Sequence, residues 1–279
     1  MSAYQIPVND AFFILCTCIA VLLTITVPAS GQDNLLQPGD FTYLGAFRLP
    51  STGDGWAYGG RGLAYYPVGD PGGSSDGYPG SLFGIGNDQR NLVSEISIPV
   101  PKVSFGKRLE DLNTAGTLQP FTDLFSGVFA YTDDGLPKLA DVAYLPRQDG
   151  QYEGRLYLTW GEHFQYEQVP SHAWSRTDLS DPQVKGPWYL AEYDNFATND
   201  YLFAIPESWA ARNTPGQNLA TGRFREGSLG GSGPALFAFG PWNEGNPPAK
   251  NARLTRVTPL LLYGKGYEQE GGGPSHDRV

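Results

Sequence analysis

Gly62-Leu-Ala-Tyr-Tyr-Pro67 opens a run of three short apolar segments separated by turn-forming residues. A loop rich in Gly, Ser and Asp follows, and then come Gly80-Ser-Leu-Phe-Gly-Ile-Gly86 and Leu92-Val-Ser-Glu-Ile-Ser-Ile-Pro99. Short runs of aromatic and β-branched residues bounded by Gly, Pro and Asp are typical of strands joined by turns. This stretch therefore predicts an antiparallel meander.

The same order of segments returns twice along the chain. The second copy consists of Asp141-Val-Ala-Tyr-Leu-Pro146, Gly154-Arg-Leu-Tyr-Leu-Thr-Trp160 and a polar run around His172 to Pro182. A third, degenerate copy would consist of Tyr201–Pro206, Pro234–Phe239 and Leu254–Tyr263. Repeated meanders predict an all-β fold, and they favour a β-propeller that could be incomplete or irregular. A β-sandwich with chance similarity between strands is the alternative.

Two further elements are predicted from local patterns. Phe41–Leu49 could form an N-terminal strand that closes the ring of sheets. Pro206–Asn213 predicts a helix of two turns, because Pro suits the first turn and Thr214-Pro215-Gly216 ends it.

Composition limits the class of protein. The chain of 279 residues is 40% hydrophobic and 13% aromatic, which is enough apolar surface for a core despite 36 Gly and 23 Pro. That Gly and Pro content argues against a helical bundle. A formal net charge of −10 argues against a nucleic-acid partner, because an acidic surface repels phosphate.

The N-terminal segment predicts export. Ala11–Val27 carries no charged residue and is close in length to a signal-peptide core, and Ala29-Ser30-Gly31 offers small residues for cleavage before Gln32. Retention as a membrane anchor is the alternative, and it would be the only membrane contact. Residues 1–31 are thus interpreted as a signal peptide, 32–270 as the propeller-like domain and 271–279 as a polar tail. The signal segment leads us to expect a secreted or periplasmic protein, and we expect a monomer. Both cysteines lie in that segment, so we expect the mature chain to have no disulfides.

Part of the chain resembles a known family. Tyr43-Leu-Gly-Ala-Phe-Arg-Leu-Pro50, Gly59-Gly-Arg-Gly-Leu-Ala-Tyr-Tyr-Pro67 and Gly86-Asn-Asp-Gln-Arg90 resemble the opening of secreted bacterial propellers of the phytase-like, esterase-like activity family. Ala140-Asp-Val-Ala-Tyr-Leu-Pro146 resembles their next strand, with Asp141 where that family usually has Glu. The resemblance implies the fold more than an activity.

The repeats place one set of polar residues together. In an antiparallel meander, the loop before the first strand and the loop between the second and third strands lie at the same end. The residues predicted to share that end are Arg61, Asp88, Arg90, Asp141, Glu162 and His163, and Tyr166 lies in the same loop as Glu162 and His163. We assign catalysis to Glu162, His163, Tyr166, Asp88 and Asp141, and substrate binding to Arg61 and Arg90. Turn formation and an ion pair of Arg61 with Asp88 are the structural alternatives.

This set is compatible with more than one chemistry. Paired carboxylates suit glycoside hydrolysis, whereas Arg with His or Tyr suits β-elimination from a uronic acid. Carboxylates and Asn could also hold Ca²⁺, and Asp133-Asp134-Gly135 and Asp178–Asp181 are further candidate calcium loops that equally fit turns.

Other substrate-binding candidates lie outside this set. Arg223 and Arg225 could clamp a carboxylate or phosphate, although the Gly-rich run after them reads as a loop. Five tryptophans could stack on sugar rings or pack in the core, and Trp160 is assigned to substrate binding: Trp56, Trp160, Trp174, Trp188 and Trp242.

The leading functional hypothesis is an exported carbohydrate-active enzyme, a polysaccharide lyase or a glycoside hydrolase. One alternative is a Ca²⁺-assisted phosphoester or carboxylester hydrolase of the phytase-like type. The other is a non-catalytic propeller that binds glycan or protein. Fold alone cannot choose among these three.

Overall fold

The protein is all-β, and the part of the chain that the structure describes contains three four-stranded antiparallel meanders that follow one another in sequence. The computed structural model describes residues 36–51, 55–59, 61–73, 77–87, 90–124, 128, 138–161, 169–193, 198, 200–223 and 234–262. Leu44–Val279 forms one compact unit. In the separate unit Met1–Tyr43, the described part contains a 3-10 turn at Pro38–Asp40.

The first sheet confirms the opening strand pattern. Its strands, in spatial order, are β1 (Leu63–Tyr66), β2 (Gly77–Ile85), β3 (Leu92–Pro99) and β4 (Thr117–Asp123). Only β4 was not predicted. It is a polar edge strand containing Pro120, a residue that edge strands tolerate because no ladder bond is lost.

The second sheet contains five strands. Four come from one meander: β5 (Lys138–Leu145), β6 (Arg155–Gly161), β7 (His172–Ser175) and β8 (Lys185–Leu190). The fifth, β12 (Arg253–Leu254), pairs in parallel with the outer edge of β8. The Trp188 Nε1–H also donates to the carbonyl of Pro248 at 3.4 Å, so the segment before β12 is tied to the second sheet.

The third sheet corrects the third repeat. Its strands are β9 (Tyr201–Ala204), β10 (Leu219–Arg223), β11 (Ala235–Phe239) and β13 (Val257–Leu261). The prediction took β11 for the second strand and missed β10. The copy is therefore complete rather than degenerate. The predicted helix is confirmed as α1 (Glu207–Asn213), preceded by Pro206.

The segment Phe41–Leu49 does not close a ring. Ala46 bridges to Lys102 and Arg48 bridges to Thr114, so this segment joins the connection between β3 and β4. It makes isolated bridges there instead of the continuous strand that was predicted.

The sheets stack in sequence order and are closest at their first strands. β5 contacts both β1 and β9. One core cluster lies between the first and second sheets and includes Phe83 and Leu158, and another lies between the second and third sheets and includes Trp188 and Phe237. None of the helices in the described ranges has the length and apolarity that a membrane span requires.

Candidate functional site

A cavity of about 790 Å³ opens between the second and third sheets, at the end where β5 and β9 stop. Pro146 follows β5 and Ile205-Pro206 follows β9. Pro has no N–H to donate to a neighbouring strand. Both β5 and β9 therefore end here, and the chain turns away from the sheet after each of them. The walls of the cavity come from these turns, from α1 and from Trp242.

The turn between β5 and β6 is held by its own hydrogen bonds. Gln148 and Gln151 exchange backbone bonds of 3.0 Å in both directions. The buried Gln151 side chain donates to the carbonyls of Leu145 (3.2 Å) and Pro146 (2.9 Å) and accepts from the Tyr157 hydroxyl. This bracing fixes the backbone that carries the charged residues of the cavity wall.

Trp242 is fixed against the same turn. It lies in the 3-10 turn Pro241–Asn243, and its ring meets Tyr157 edge to face with centroids 6.1 Å apart. Gly150 has a φ of +80°, and a Cβ there would lie 3.0 Å from the Trp242 Cδ1. The Asn246 side chain donates to the carbonyl of Gly150 at 2.7 Å. These contacts hold the Trp242 indole against the turn between β5 and β6.

The cavity wall combines aromatic rings with groups of both charge signs. The polar and aromatic lining residues are Arg147, Gln148, Asp149, Tyr152, Glu207, Asn218 and Trp242. Tyr152 is 76% exposed, so its ring is open to solvent. The Gln148 Nε2 is buried and has no hydrogen-bond partner within the described residues. A concave site of this size with a few polar groups suits a small ligand or a few sugar units.

A second polar feature lies at the opposite end of the first strands. Asp141, in β5, accepts hydrogen bonds from the backbone N–H of Val142 at 2.8 Å and from that of Leu202 in β9 at 2.7 Å. Burial raises the pKa of Asp141 from 3.8 to about 7, although the two N–H donors act in the opposite direction. The carboxyl therefore links two sheets and changes charge near neutral pH.

Gly62, just before β1, packs directly on Asp141. A Cβ at Gly62 would lie 2.4 Å from the Asp141 Oδ1 and 2.9 Å from the Ile85 Cδ1. We expect Gly62→Ala to destabilise the fold by about 1–3 kcal/mol, the usual effect of forcing an extra carbon into a packed site. Urea unfolding measures this loss. The matched control is Gly116→Ala, where the nearest atom is the Ser97 Oγ at 3.5 Å, and equal effects of the two substitutions would contradict the prediction.

Within the described part of the chain, three of the segments predicted to share one end meet there. The N–H of Ile85 donates to the carbonyl of Gly62 at 3.1 Å, and the N–H of Leu139 donates to the Asn91 side chain at 2.9 Å. Arg61 and Arg90, which adjoin these contacts, are both exposed. The structure thus brings the segments of Arg61, Arg90 and Asp141 together, and the roles assigned to these three side chains stay predictions.

Two predicted binding residues are buried. Trp160 is 2% exposed and belongs to the core between the first and second sheets, where no ring face is open to a sugar. Arg223 is 1% exposed and is the last residue of β10. Tyr201 donates its hydroxyl to the Arg223 carbonyl at 2.7 Å. Both placements count against contact with an extracellular polymer.

The remaining predicted site residues lie outside the described part of the chain. They are Asp88, Glu162, His163, Tyr166 and Arg225. Of the five tryptophans considered as sugar platforms, Trp242 lines the cavity, while Trp174 and Trp188 are buried in the core.

His172 is a buried connection between the second and third sheets. Its Nδ1 lies 2.8 Å from the Ser171 Oγ, and its Nε2 lies 2.9 Å from the Thr221 Oγ1 in β10. Burial lowers the pKa of His172 from 6.5 to about 3. The ring is therefore neutral over the physiological range.

The calcium prediction gains no support in the described ranges. They contain no group of three or more metal-ligating side chains close enough to hold an ion. In Asp178–Asp181, the Asp178 carboxylate accepts from both the N–H and the hydroxyl of Ser180, which is a turn motif. Asp133-Asp134-Gly135 lies outside the described residues.

Sequence reasoning missed most of the cavity wall. Arg147, Asp149 and Tyr152 lie in the turn after β5, whereas Glu207 begins α1 far along the chain, and of the cavity residues only Trp242 was a candidate. A signal was present, because Pro146 and Pro206 end two equivalent strands and so place both following turns at one end.

Comparisons with family models, with curated proteins and with solved structures found no match to this chain.

Proposed function

We propose that this chain is an exported β-propeller-like protein that binds extracellular glycan in the cavity between its second and third sheets and cleaves it there. The fold proposal is supported by the contacts between neighbouring sheets, since the four-stranded meanders approach each other most closely at β1, β5 and β9. In an aligned sandwich, the sheets would instead face each other across all their strands.

The glycan proposal rests on one observation: a cavity of about 790 Å³ that combines the open ring of Tyr152 and the indole of Trp242 with two carboxylates. Aromatic faces suit the C–H faces of sugars, and carboxylates and amides suit their hydroxyl groups.

The cavity wall also holds two carboxylates, one in the turn after β5 and one at the start of α1, and these supply the groups that hydrolysis needs. One of Asp149 and Glu207 would protonate the glycosidic oxygen, and the other would activate water or attack the sugar. Arg147 in the same wall gives elimination from a uronate as the second candidate, because a guanidinium can neutralise the substrate carboxylate while Tyr152 moves a proton.

Binding is tested with the exported protein and a panel of neutral and uronate-containing oligosaccharides in titration calorimetry. We expect Tyr152→Ala to weaken binding about three- to tenfold, the loss of one aromatic contact. Tyr58→Ala is the matched control, since Tyr58 is 84% exposed and does not line the cavity. Equal binding by both variants would remove the cavity from the proposal.

Cleavage is tested by mass spectrometry of the products from the same panel. Products of hydrolytic mass identify a hydrolase, and products lighter by one water identify a lyase. For hydrolysis we expect Asp149→Asn and Glu207→Gln each to reduce kcat by about 10²–10⁴-fold, with exposed Glu192→Gln as the control. Glycan binding without products would leave a binding protein and contradict the catalytic part.

A further inference from the structure

The connection between β3 and β4 forms a small structure of its own with the segment 44–48. The backbones of Ala46 and Lys102 exchange hydrogen bonds of 2.9 Å in both directions. The N–H of Arg48 donates at 2.8 Å to a carbonyl farther along the same connection. Residues 44–48 and 100–115 are therefore tied together, and this pair of segments is called the ribbon below.

The tip of the ribbon is a braced turn. The N–H of Lys107 donates to the carbonyl of Ser104 at 3.1 Å, and the N–H of Arg108 donates to the Ser104 hydroxyl at 2.9 Å. That hydroxyl donates to the Asp111 carboxylate at 2.8 Å, and the Arg108 guanidinium donates to the same carboxylate at 2.6 Å. Lys107 has a φ of +52°, a left-handed conformation that a residue other than Gly keeps only when its surroundings hold it. The turn is therefore ordered before any partner binds.

This ordered turn presents a large apolar side chain to solvent. Phe105 is the second residue of the turn and is 96% exposed. The other exposed large apolar side chains of the ribbon are between 45% and 68% exposed, and they are Leu44, Val100, Val103 and Leu109. One exposed apolar residue is ordinary on a protein surface, whereas several on one small structure mark an interaction surface. The exposure of Phe105 thus indicates a partner that covers its ring.

The ribbon is also locally cationic, although the chain as a whole is acidic. It carries four cationic side chains and two carboxylates, namely Arg48, Lys102, Lys107, Arg108, Glu110 and Asp111. The whole chain has a formal net charge of −10. Lys102 and Lys107 are both exposed, and Lys107 ends the turn that carries Phe105. An anionic surface is therefore repelled by the molecule as a whole and attracted at the ribbon.

We propose that the ribbon docks this protein on an anionic lipid surface, where Phe105 enters the headgroup region and Lys102 and Lys107 contact lipid phosphates. Apolar side chains flanked by cationic ones bind such surfaces through apolar burial and charge attraction together.

A lipid surface fits the ribbon better than a polysaccharide does. Sugars stack on aromatic faces, and they gain little from aliphatic side chains such as Leu109 and Val103. The headgroup region accepts aromatic and aliphatic side chains alike. The sequence assigned membrane contact to the N-terminal segment alone, and this proposal adds a second contact that does not depend on the glycan cavity.

The test is co-sedimentation of the exported protein with vesicles of phosphatidylcholine alone and of phosphatidylcholine with phosphatidylglycerol. We expect binding to the mixed vesicles to weaken about tenfold in Phe105→Ala and about fivefold in Lys107→Gln. Added salt should also weaken wild-type binding, because it screens the charge attraction. The matched controls are Tyr58→Ala and Lys250→Gln, at exposed aromatic and cationic positions outside the ribbon.

Entry of the turn into the lipid surface has a readout of its own. Both cysteines lie in the signal segment, so Gly106→Cys gives the exported protein a single thiol beside Phe105. A Cβ at Gly106 would lie 3.4 Å from the Arg108 Nε, which is an ordinary contact that leaves the turn intact. A polarity-sensitive fluorophore on this thiol should shift to shorter wavelength on the mixed vesicles, and the same label on Tyr58→Cys should not.

A wild-type protein that binds neither kind of vesicle would overturn the proposal, and so would binding that Phe105→Ala does not weaken. Vesicle binding without the spectral shift would contradict entry of the turn. Binding to a soluble polyuronate that Lys107→Gln weakens, without binding to vesicles, would make an anionic polymer the partner and overturn the lipid proposal. Circular dichroism checks that the variants fold. Failure of this proposal is distinguishable from failure of the glycan proposal, because neither Phe105 nor Lys107 lines the cavity.

Discussion

The Asp141→Asn variant is expected to gain about 2.5 kcal/mol of stability relative to the wild type as the pH rises from about 5 to about 7.5. In the folded protein, burial raises the pKa of Asp141 from 3.8 to about 7. Between these two values the folded state holds a proton that the unfolded state has lost. Wild-type stability from this group is therefore complete at low pH and is lost as the pH rises towards 7, whereas Asn does not titrate.

The measurement is urea unfolding of both proteins at a series of pH values. The readout is how the difference in unfolding free energy between the two proteins changes with pH. A constant part of that difference is also expected, because Asn places an NH₂ group against the N–H of Val142 or Leu202 and lowers stability at every pH. Glu192→Gln, which replaces an exposed carboxylate away from Asp141, is measured as the control. A difference that does not vary with pH would contradict the buried, titrating carboxyl.

The His172→Gln variant is expected to show the opposite slope. Burial lowers the pKa of His172 to about 3, so between pH 3 and 6.5 the unfolded state binds a proton that the folded state excludes. Stability from the neutral ring is complete above 6.5 and is lost as the pH falls. The wild type should lose about 2 kcal/mol relative to His172→Gln between about pH 7.5 and about pH 5.

The same unfolding series checks this prediction. Gln can still bond to Ser171 or Thr221 but does not carry the titrating ring, so a constant offset is expected in addition to the slope. If the free energy of unfolding of His172→Gln changed with pH in the same way as that of the wild type, the ring would not be held neutral in the folded protein.

The two groups oppose each other in the wild type. Asp141 favours low pH and His172 favours high pH over nearly the same interval, so their contributions largely cancel between about pH 4 and about pH 6.5. Each single variant exposes the slope of the other group, and the double variant should show neither. Asp141 connects the second and third sheets through Leu202, and His172 connects them through Thr221. The cavity lies between the same two sheets.

The candidate site illustrates what could be predicted from the chain. The repeat placed the segments of Arg61, Arg90 and Asp141 at one end, because strand connections in a meander alternate ends. Burial of Trp160 and Arg223 could not be predicted, because an aromatic or a guanidinium has the same local pattern in a core strand and in a surface loop. The cavity was missed because its wall comes from turns around 148, 207 and 242.

The sequence by itself determined the strand positions wherever alternating apolar residues end in Pro or Gly, as in β1, β5 and β9, and the short helix after Pro206. It misplaced the third repeat because Leu219-Ala-Thr-Gly-Arg223 uses small and polar residues that carry no alternating apolar signal. Only the tertiary structure decided which carboxyl is protonated near neutral pH and which aromatic rings are open to a ligand. These properties depend on burial, and burial is set by packing between segments that are distant in the chain.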